Sequence, residues 1–381
     1  MLSCINYKNL PLKCQNVSKR FIMKLIKTKA IFLAAGLIAL PLSGCSQNAT
    51  ENSNNDTTLT GNPKENPAAF TFKKDPVTVN AFKLDTYISI SAYEDIDESY
   101  LYDTLALCDR YEEMFSMHKE GGALYNLNEG TTDKVPSELG RVMETALKWS
   151  QSSDGAFQIS VGRVTELWDF TSGSHVIPSD NEIKSALKTV DDSKISLIPY
   201  DSEEGTGYTV SMPEGTKIDL GAVAKGYIAD KLKEDLIARG ITSAVINLGG
   251  NVLCVGDKNG DPFNIGIRKP FAGDTDMITV LKLKDCSAVS SGISERYFEE
   301  NGRIYHHIIN PRTGYPYENE LWQSTVITKD SLTGDILSTL CYALGADKAL
   351  ELAKNTPDTE IILVKDDLSL VSSDGANDLM K

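Results

Sequence analysis

Zinc-type and disulfide frameworks find little material in this chain. Its 381 residues hold seven cysteines, none in a CxxC pair or a Cys/His series with zinc spacing, and only four histidines. Basic residues are also scarce, 38 against 53 acidic ones, for a net charge of −15. Seven of those 38 lie in the first 44 residues, which carry no carboxylate. Taking them away leaves 31 against 53, or −22, for the rest. A surface this acidic repels phosphate backbones and argues against a nucleic-acid partner. A small polyanion can still be held where helix amides, a lysine and a metal ion outweigh the overall field. No short repeat or coiled-coil heptad is present. Aromatics make up 8%, and the 41% hydrophobic content suffices for one large core or two joined lobes.

The first 44 residues read as an address. Met23 opens a basic head with Lys24, Lys27 and Lys29, followed by an apolar run from Ala30 to Leu40 that is too short for a comfortable membrane crossing. Leu42-Ser43-Gly44-Cys45 resembles a lipobox, in which cleavage precedes a cysteine that then carries acyl chains. Each buried CH2 of such a chain contributes about 0.8 kcal/mol, so a multiply acylated Cys45 would hold the protein on the extracytoplasmic face of a bacterial cell membrane. Translation can start at Met1 or at Met23, and the site assignments are the same either way. Residues 45–76, rich in Asn, Thr, Ser, Gly and Pro, read as a lipidated flexible tether, and residues 77–381 as the folded body. Cys108, Cys254, Cys286 and Cys341 lie in mostly apolar surroundings and read as buried thiols, with a disulfide still open in an exported chain.

Within the body, alternation over Val77–Tyr93 predicts strand, and apolar spacing predicts helices over Asp97–Phe115, Pro136–Trp149 and Asn181–Val190. Next come a short strand at Lys217–Leu220, a helix over Ala222–Ala238 and a strand at Ser243–Leu248. Further strands are expected at Phe263–Arg268, Met277–Leu283, Ser324–Thr328 and Glu360–Val364, with helices at Asp335–Leu344 and Lys348–Lys354. Long helices mixed with hairpin-like strands predict an α+β fold.

Four segments carry chemistry. In Asp219-Leu220-Gly221-Ala222-Val223-Ala224-Lys225, glycine permits a tight entry into a helix whose free amides suit anionic oxygen, and Lys225 can neutralise a diphosphate. Asp219 either contacts a nucleotide or caps the turn. Asn247-Leu248-Gly249-Gly250-Asn251 is a strand-to-turn element that lets a ligand approach, or an ordinary hairpin. In Tyr305–Pro316, adjacent strand residues face opposite ways, so one of His306 and His307 faces a given cleft; His307 is our choice. Nearby, Glu295 and Arg296 read as an internal ion pair, or Arg296 as a phosphate brace. On a helix, Asp335 and Thr339 share a face and with a backbone carbonyl can bind a hard cation, unless Asp335 only caps the helix.

Together and in this order, DLGAVAKGYIAD, NLGGN, SGISERYF, YHHIINPRTGYP and GDILSTLCYALG resemble the ApbE family of FAD:protein FMN transferases, from about Phe82 to beyond Leu344. The resemblance implies two closely joined lobes with mixed or antiparallel sheets and packed helices. It also implies cleavage of FAD at its diphosphate, transfer of FMN to a Thr or Ser hydroxyl, and release of AMP. Mg2+, with Mn2+ as the alternative, would be held by the carbonyl of Ala222 and the side chains of Asp335 and Thr339. Ser338 stands at a position that is acidic in some relatives. Leu84, His118, Ala156, Phe157, Gln158, Asp219, Lys225 and Ile309 match FAD-contact positions. Lys225, His307 and Asp335 are the expected catalytic residues. Gln158 and Asn310 replace frequent aspartates, and Arg163 a frequent proline. The implied acceptor is an extracytoplasmic redox subunit or flavin-carrying lipoprotein. An FAD pyrophosphatase and a flavin-storing or flavin-sensing lipoprotein are the competing readings.

Overall fold

Alternation near the start of the body resolves into two strands, β1 (Phe72–Lys83) and β2 (Thr86–Glu94). Leu84 and Asp85 join them with φ of 54° and 55°, the left-handed pair that matches hairpin twist. The computed structural model describes residues 70–381 except 174, 203, 204 and 274; Cys45 and its flanking segments lie outside them. Continuing along the chain come α1 (Ser99–Phe115), α2 (Ala123–Asn128), β3 (Lys134–Pro136), α3 (Ser137–Ser152), α4 (Gly162–Trp168), α5 (Asp180–Ala186), β4 (Ser196–Ser202) and β5 (Gly205–Ser211). The second half contains α6 (Ala224–Ala238), β6 (Ala244–Leu248), β7 (Asn251–Val255), β8 (Phe263–Arg268), β9 (Met277–Leu283) and β10 (Ser287–Gly292). It closes with β11 (Tyr297–Glu300), β12 (Arg303–His306), β13 (Leu321–Thr328), α7 (Ser331–Leu344), α8 (Ala346–Asn355), β14 (Glu360–Lys365), β15 (Leu370–Ser372) and α9 (Asp374–Leu379).

The fold is α+β. An antiparallel sheet runs β1-β2-β6-β7-β10-β13-β14-β15, with smaller sheets β3-β5-β4, β8-β9 and β11-β12. The main core is shared by the sheet, α1, α3, α6 and α7, and includes Ile88, Ile90, Leu101, Leu139, Leu232, Ile246 and Leu337. The β8-β9 ribbon closes a second cluster through Phe263, Ile265, Ile267 and Leu281. Cys108, Cys254 and Cys341 are buried free thiols, and Cys286 is a partly buried one.

Two helices cross at the center. A Cβ on Gly226 of α6 would press on the Ser331 carbonyl and stand 2.8 Å from Asp335 Cβ, so glycine permits the approach of α7. Gly334 plays the same part beneath α7, where an added Cβ would lie 2.7 Å from Thr328 Oγ1.

Several boundaries differ from expectation. Lys217–Leu220 is no strand: Lys217 makes one isolated bridge to Val161. Helix α7 begins at Ser331, where Asp330 accepts from the Thr333 amide, so Asp335 is a full turn inside and does not cap it. Ala222 lies in the turn before α6 instead of in the helix. The hairpin β4-β5, the ribbon β11-β12 and the terminal β15 and α9 lie where no element was expected.

Candidate active site

The expected site residues surround a cleft of about 1200 Å³. Leu84 enters from the β1-β2 turn, His118 from the loop after α1, and Ala156, Phe157 and Gln158 from the loop before α4. Asp219, Ala222 and Lys225 come from the entry to α6, His307 and Ile309 from the loop after β12, and Asp335 and Thr339 from α7.

Asp219 builds the turn. Its Oδ1 accepts from the Gly221 amide at 2.8 Å and its Oδ2 from the Thr165 hydroxyl at 2.8 Å, so it lines the cleft as a brace as well as a wall. The N-cap residue of α6 makes no side-chain cap; Asp335 takes the Gly226 amide, and the Leu220 and Val223 carbonyls take those of Ala224 and Tyr227. Lys225 folds back from the first turn and donates to the Gly221 carbonyl at 3.3 Å, which keeps its ammonium at the same end of the helix.

Asp335 is 3% exposed. Its Oδ2 accepts from the Gly226 amide at 2.8 Å, and Oδ1 receives no hydrogen bond from the described residues. Burial raises its pKa, opposed by Lys225 and the Gly226 amide. A buried carboxylate with one open oxygen, a hydroxyl one turn later and a carbonyl in the facing turn form an all-oxygen donor set, the kind a hard dication prefers. Among the described residues no three His, Cys, Asp or Glu side chains converge, so a cation here would depend on this mixed set. The residues present fit Mg2+ or Mn2+.

Ser338 is fully buried and does not line the cleft: it donates to the Asp335 carbonyl at 2.9 Å and pairs with Ser291 Oγ at 2.7 Å. Ser291 also stands 3.3 Å from Thr339 Oγ1. It therefore steadies the threonine hydroxyl, a role that a serine within SSGIS did not announce.

The two histidines occupy opposite environments. His306 is buried, with Nε2 2.9 Å from the Tyr317 carbonyl, and accepts from the Ile308 amide at Nδ1; burial pushes its pKa down to about 4. His307 lines the cleft and donates from Nδ1 to the Arg296 carbonyl at 3.3 Å, which leaves Nε2 as the acceptor. Burial first, then the charge of Arg296, hold its pKa near 3.

Glu295 and Arg296 form no ion pair; both line the cleft. Glu295 as a whole is exposed, yet protein surrounds its carboxyl group closely. That desolvation lifts its pKa to about 7 against the pull of Lys225 and Arg296, with Asp335 adding to the rise. Gln158 turns its Oε1 to the Asp192 amide at 3.0 Å, and buried Asp192 in turn accepts from the Ile159 and Ser160 amides. Asn310 Oδ1 accepts from the Arg312 amide at 2.9 Å, so the turn keeps the acceptor an aspartate would supply. Arg163 stands outside the cleft, beside Gly215.

The model of the ApbE family matches residues 84–363, which include all of these cleft residues. The chain belongs to the ApbE family. It is 33% identical over 281 residues to an FAD:protein FMN transferase of Klebsiella pneumoniae (strain 342), covering 73% of this chain and 85% of that protein. It is 32% identical over 294 residues to one of Treponema pallidum (strain Nichols), covering 74% and 81%. The crystal structure of the ApbE protein of Thermotoga maritima superposes with a TM-score of 0.71 at 29% identity, over 80% of this chain and 99% of that one. The flavin transferase ApbE from Vibrio cholerae shares the fold at a TM-score of 0.67 and 21% identity, over 80% and 99%.

Proposed function

We propose that this protein is an FAD:protein FMN transferase that moves FMN from FAD to a Thr or Ser hydroxyl of another extracytoplasmic protein and releases AMP. The observation that carries the reading is the junction of α6 and α7, which sets Asp335 and Lys225 at one wall of a dinucleotide-sized cleft.

In the reaction, the acceptor oxygen attacks the FMN-side phosphorus. The bond from that phosphorus to the bridging oxygen breaks, and AMP departs with the bridging oxygen. A divalent ion, when bound, screens charge on the diphosphate. Lys225 stabilises the negative charge that builds on phosphoryl oxygens. Ser291 positions Thr339, and Gly226 positions Asp335. Thr165 and Asp219 fix the turn that carries Ala222. His307 offers Nε2 to the acceptor hydroxyl proton.

Cys45 would anchor the enzyme to the outer face of the cell membrane. No described helix is long and apolar enough to cross a membrane. Globomycin, or Cys45→Ala, should leave an unprocessed precursor, read as a size shift on a gel. Normal maturation with membrane retention after Cys45→Ala would rule the anchor out.

The functional test is incubation with FAD, Mg2+ and a panel of extracytoplasmic proteins. Flavin fluorescence that survives denaturing electrophoresis, with FMN mass on one Thr- or Ser-containing peptide, is the expected result. Free FMN and AMP without labelled protein would assign a pyrophosphatase, and tight binding without turnover a flavin store or sensor.

A further inference from the structure

The cleft is larger than the roughly 300–1,000 Å³ typical of a small-molecule pocket. None of the residues assigned to FAD or metal comes from one of its walls, the ribbon β8-β9 with the start of β11. That wall carries a cluster of exposed apolar side chains: Phe271 at 37%, Met277 at 46% and Tyr297 at 44% exposure. Phe271 meets Tyr297 and Trp322 edge-on, each with ring centroids 5.0 Å apart. It does so from a left-handed backbone position, φ 57°, a strained conformation for a bulky residue and one that gathers at functional sites.

The backbone of β8 is also presented. Gly266, Ile267 and Arg268 all line the cleft although successive side chains alternate in direction, and the Ile267 side chain is buried in the ribbon's own core. The strand therefore turns its edge to the cleft. Its other edge pairs with β9, and no other described strand pairs with β8. An unpaired edge beside apolar pockets takes up an extended peptide. Arg268 and Lys269 line the same wall. They add positive charge to a chain that carries −22 after residue 44.

We infer that β8 and the Phe271-Tyr297-Trp322 cluster form the docking surface for the acceptor protein. The occupant is an extended segment whose reactive Thr or Ser is flanked by an apolar side chain and a carboxylate. The apolar residue packs on Phe271 and Tyr297, the carboxylate faces Lys269, and the backbone pairs with β8. The surface is continuous with the cleft that holds Lys225 and Asp335, so a docked segment delivers its hydroxyl without leaving the wall. This inference rests on the transferase reading.

The test uses the full-length chain, FAD, Mg2+ and the extracytoplasmic protein that the wild type labels. Phe271→Ala, Tyr297→Ala and Lys269→Glu are compared for acceptor KM, for kcat at saturating acceptor and for FAD affinity by flavin fluorescence. Each should raise acceptor KM by about tenfold or more, as loss of an interface anchor does, with kcat and FAD affinity near wild type. A peptide spanning the labelled residue should compete with the acceptor on wild type and lose that ability on Phe271→Ala. Unchanged acceptor KM in all three variants overturns the surface. A parallel loss of FAD affinity overturns it too, by assigning the wall to the dinucleotide. A wild type that labels no protein overturns the transferase reading itself.

Discussion

Asp335 joins burial, a single amide donor and one open oxygen, a state that gains from a cation and suffers without one. Asp335→Asn should keep the fold and lower FMN transfer by about 10²-fold or more, measured in metal-controlled medium. Near-normal transfer would refute the assignment. The histidine pair makes stability depend on pH in one direction. His306 has a folded pKa near 4, below its unfolded value near 6.5, so the unfolded chain binds the extra proton first. Stability is then full above about pH 6.5 and falls as pH drops toward about 4. Thermal melts across that window should show the loss, and His306→Gln should flatten part of it. His307 adds a parallel loss, since its pKa is also held down, to about 3. For the same reason its ionisation should leave no inflection in the rate between about pH 5 and 8.

Helices α6 and α7 fix the geometry through glycine more than through charge. Gly226→Val should force them apart, cost about 1–3 kcal/mol in a denaturant melt and lower transfer as well. Asp330→Ala removes only the cap of α7, so it should cost about 0.5–2 kcal/mol while kcat stays near wild type. This scale also shows why some elements were hidden in the sequence. Helix α7 was expected to begin at Asp335, because Ser-Leu-Thr-Gly reads as loop by propensity. Asp230 of α6 accepts from the Ser331 and Leu332 amides and so holds the extra turn, and that is a tertiary effect. The turn before α6 was legible in its Gly221, but the apparent strand ahead of it reduces to one bridge. Hairpin β4-β5 escaped because its faces are largely exposed, with little apolar alternation to mark it.

At the scale of the whole molecule, residues from both halves of the body meet at one cleft, from Leu84 to Thr339. Long motifs made those residues legible one by one, and the α+β class followed from mixed periodicities. What could not be read was supplied by distant partners: Ser291 behind Thr339, Asp192 behind Gln158, and the apolar wall around Phe271. Binding restricted to the folded state raises the melting temperature, so FAD with Mg2+ should stabilise the protein, and a chelator should cancel the metal-dependent part. Asp335→Asn should show no such metal dependence. The most direct measurement is anomalous diffraction from crystals soaked with FAD and Mn2+. An ion between the Asp335 carboxylate, the Thr339 hydroxyl and the Ala222 carbonyl, touching the diphosphate, is the result expected. A diphosphate bound away from α7, with no ion at Asp335, would contradict the account.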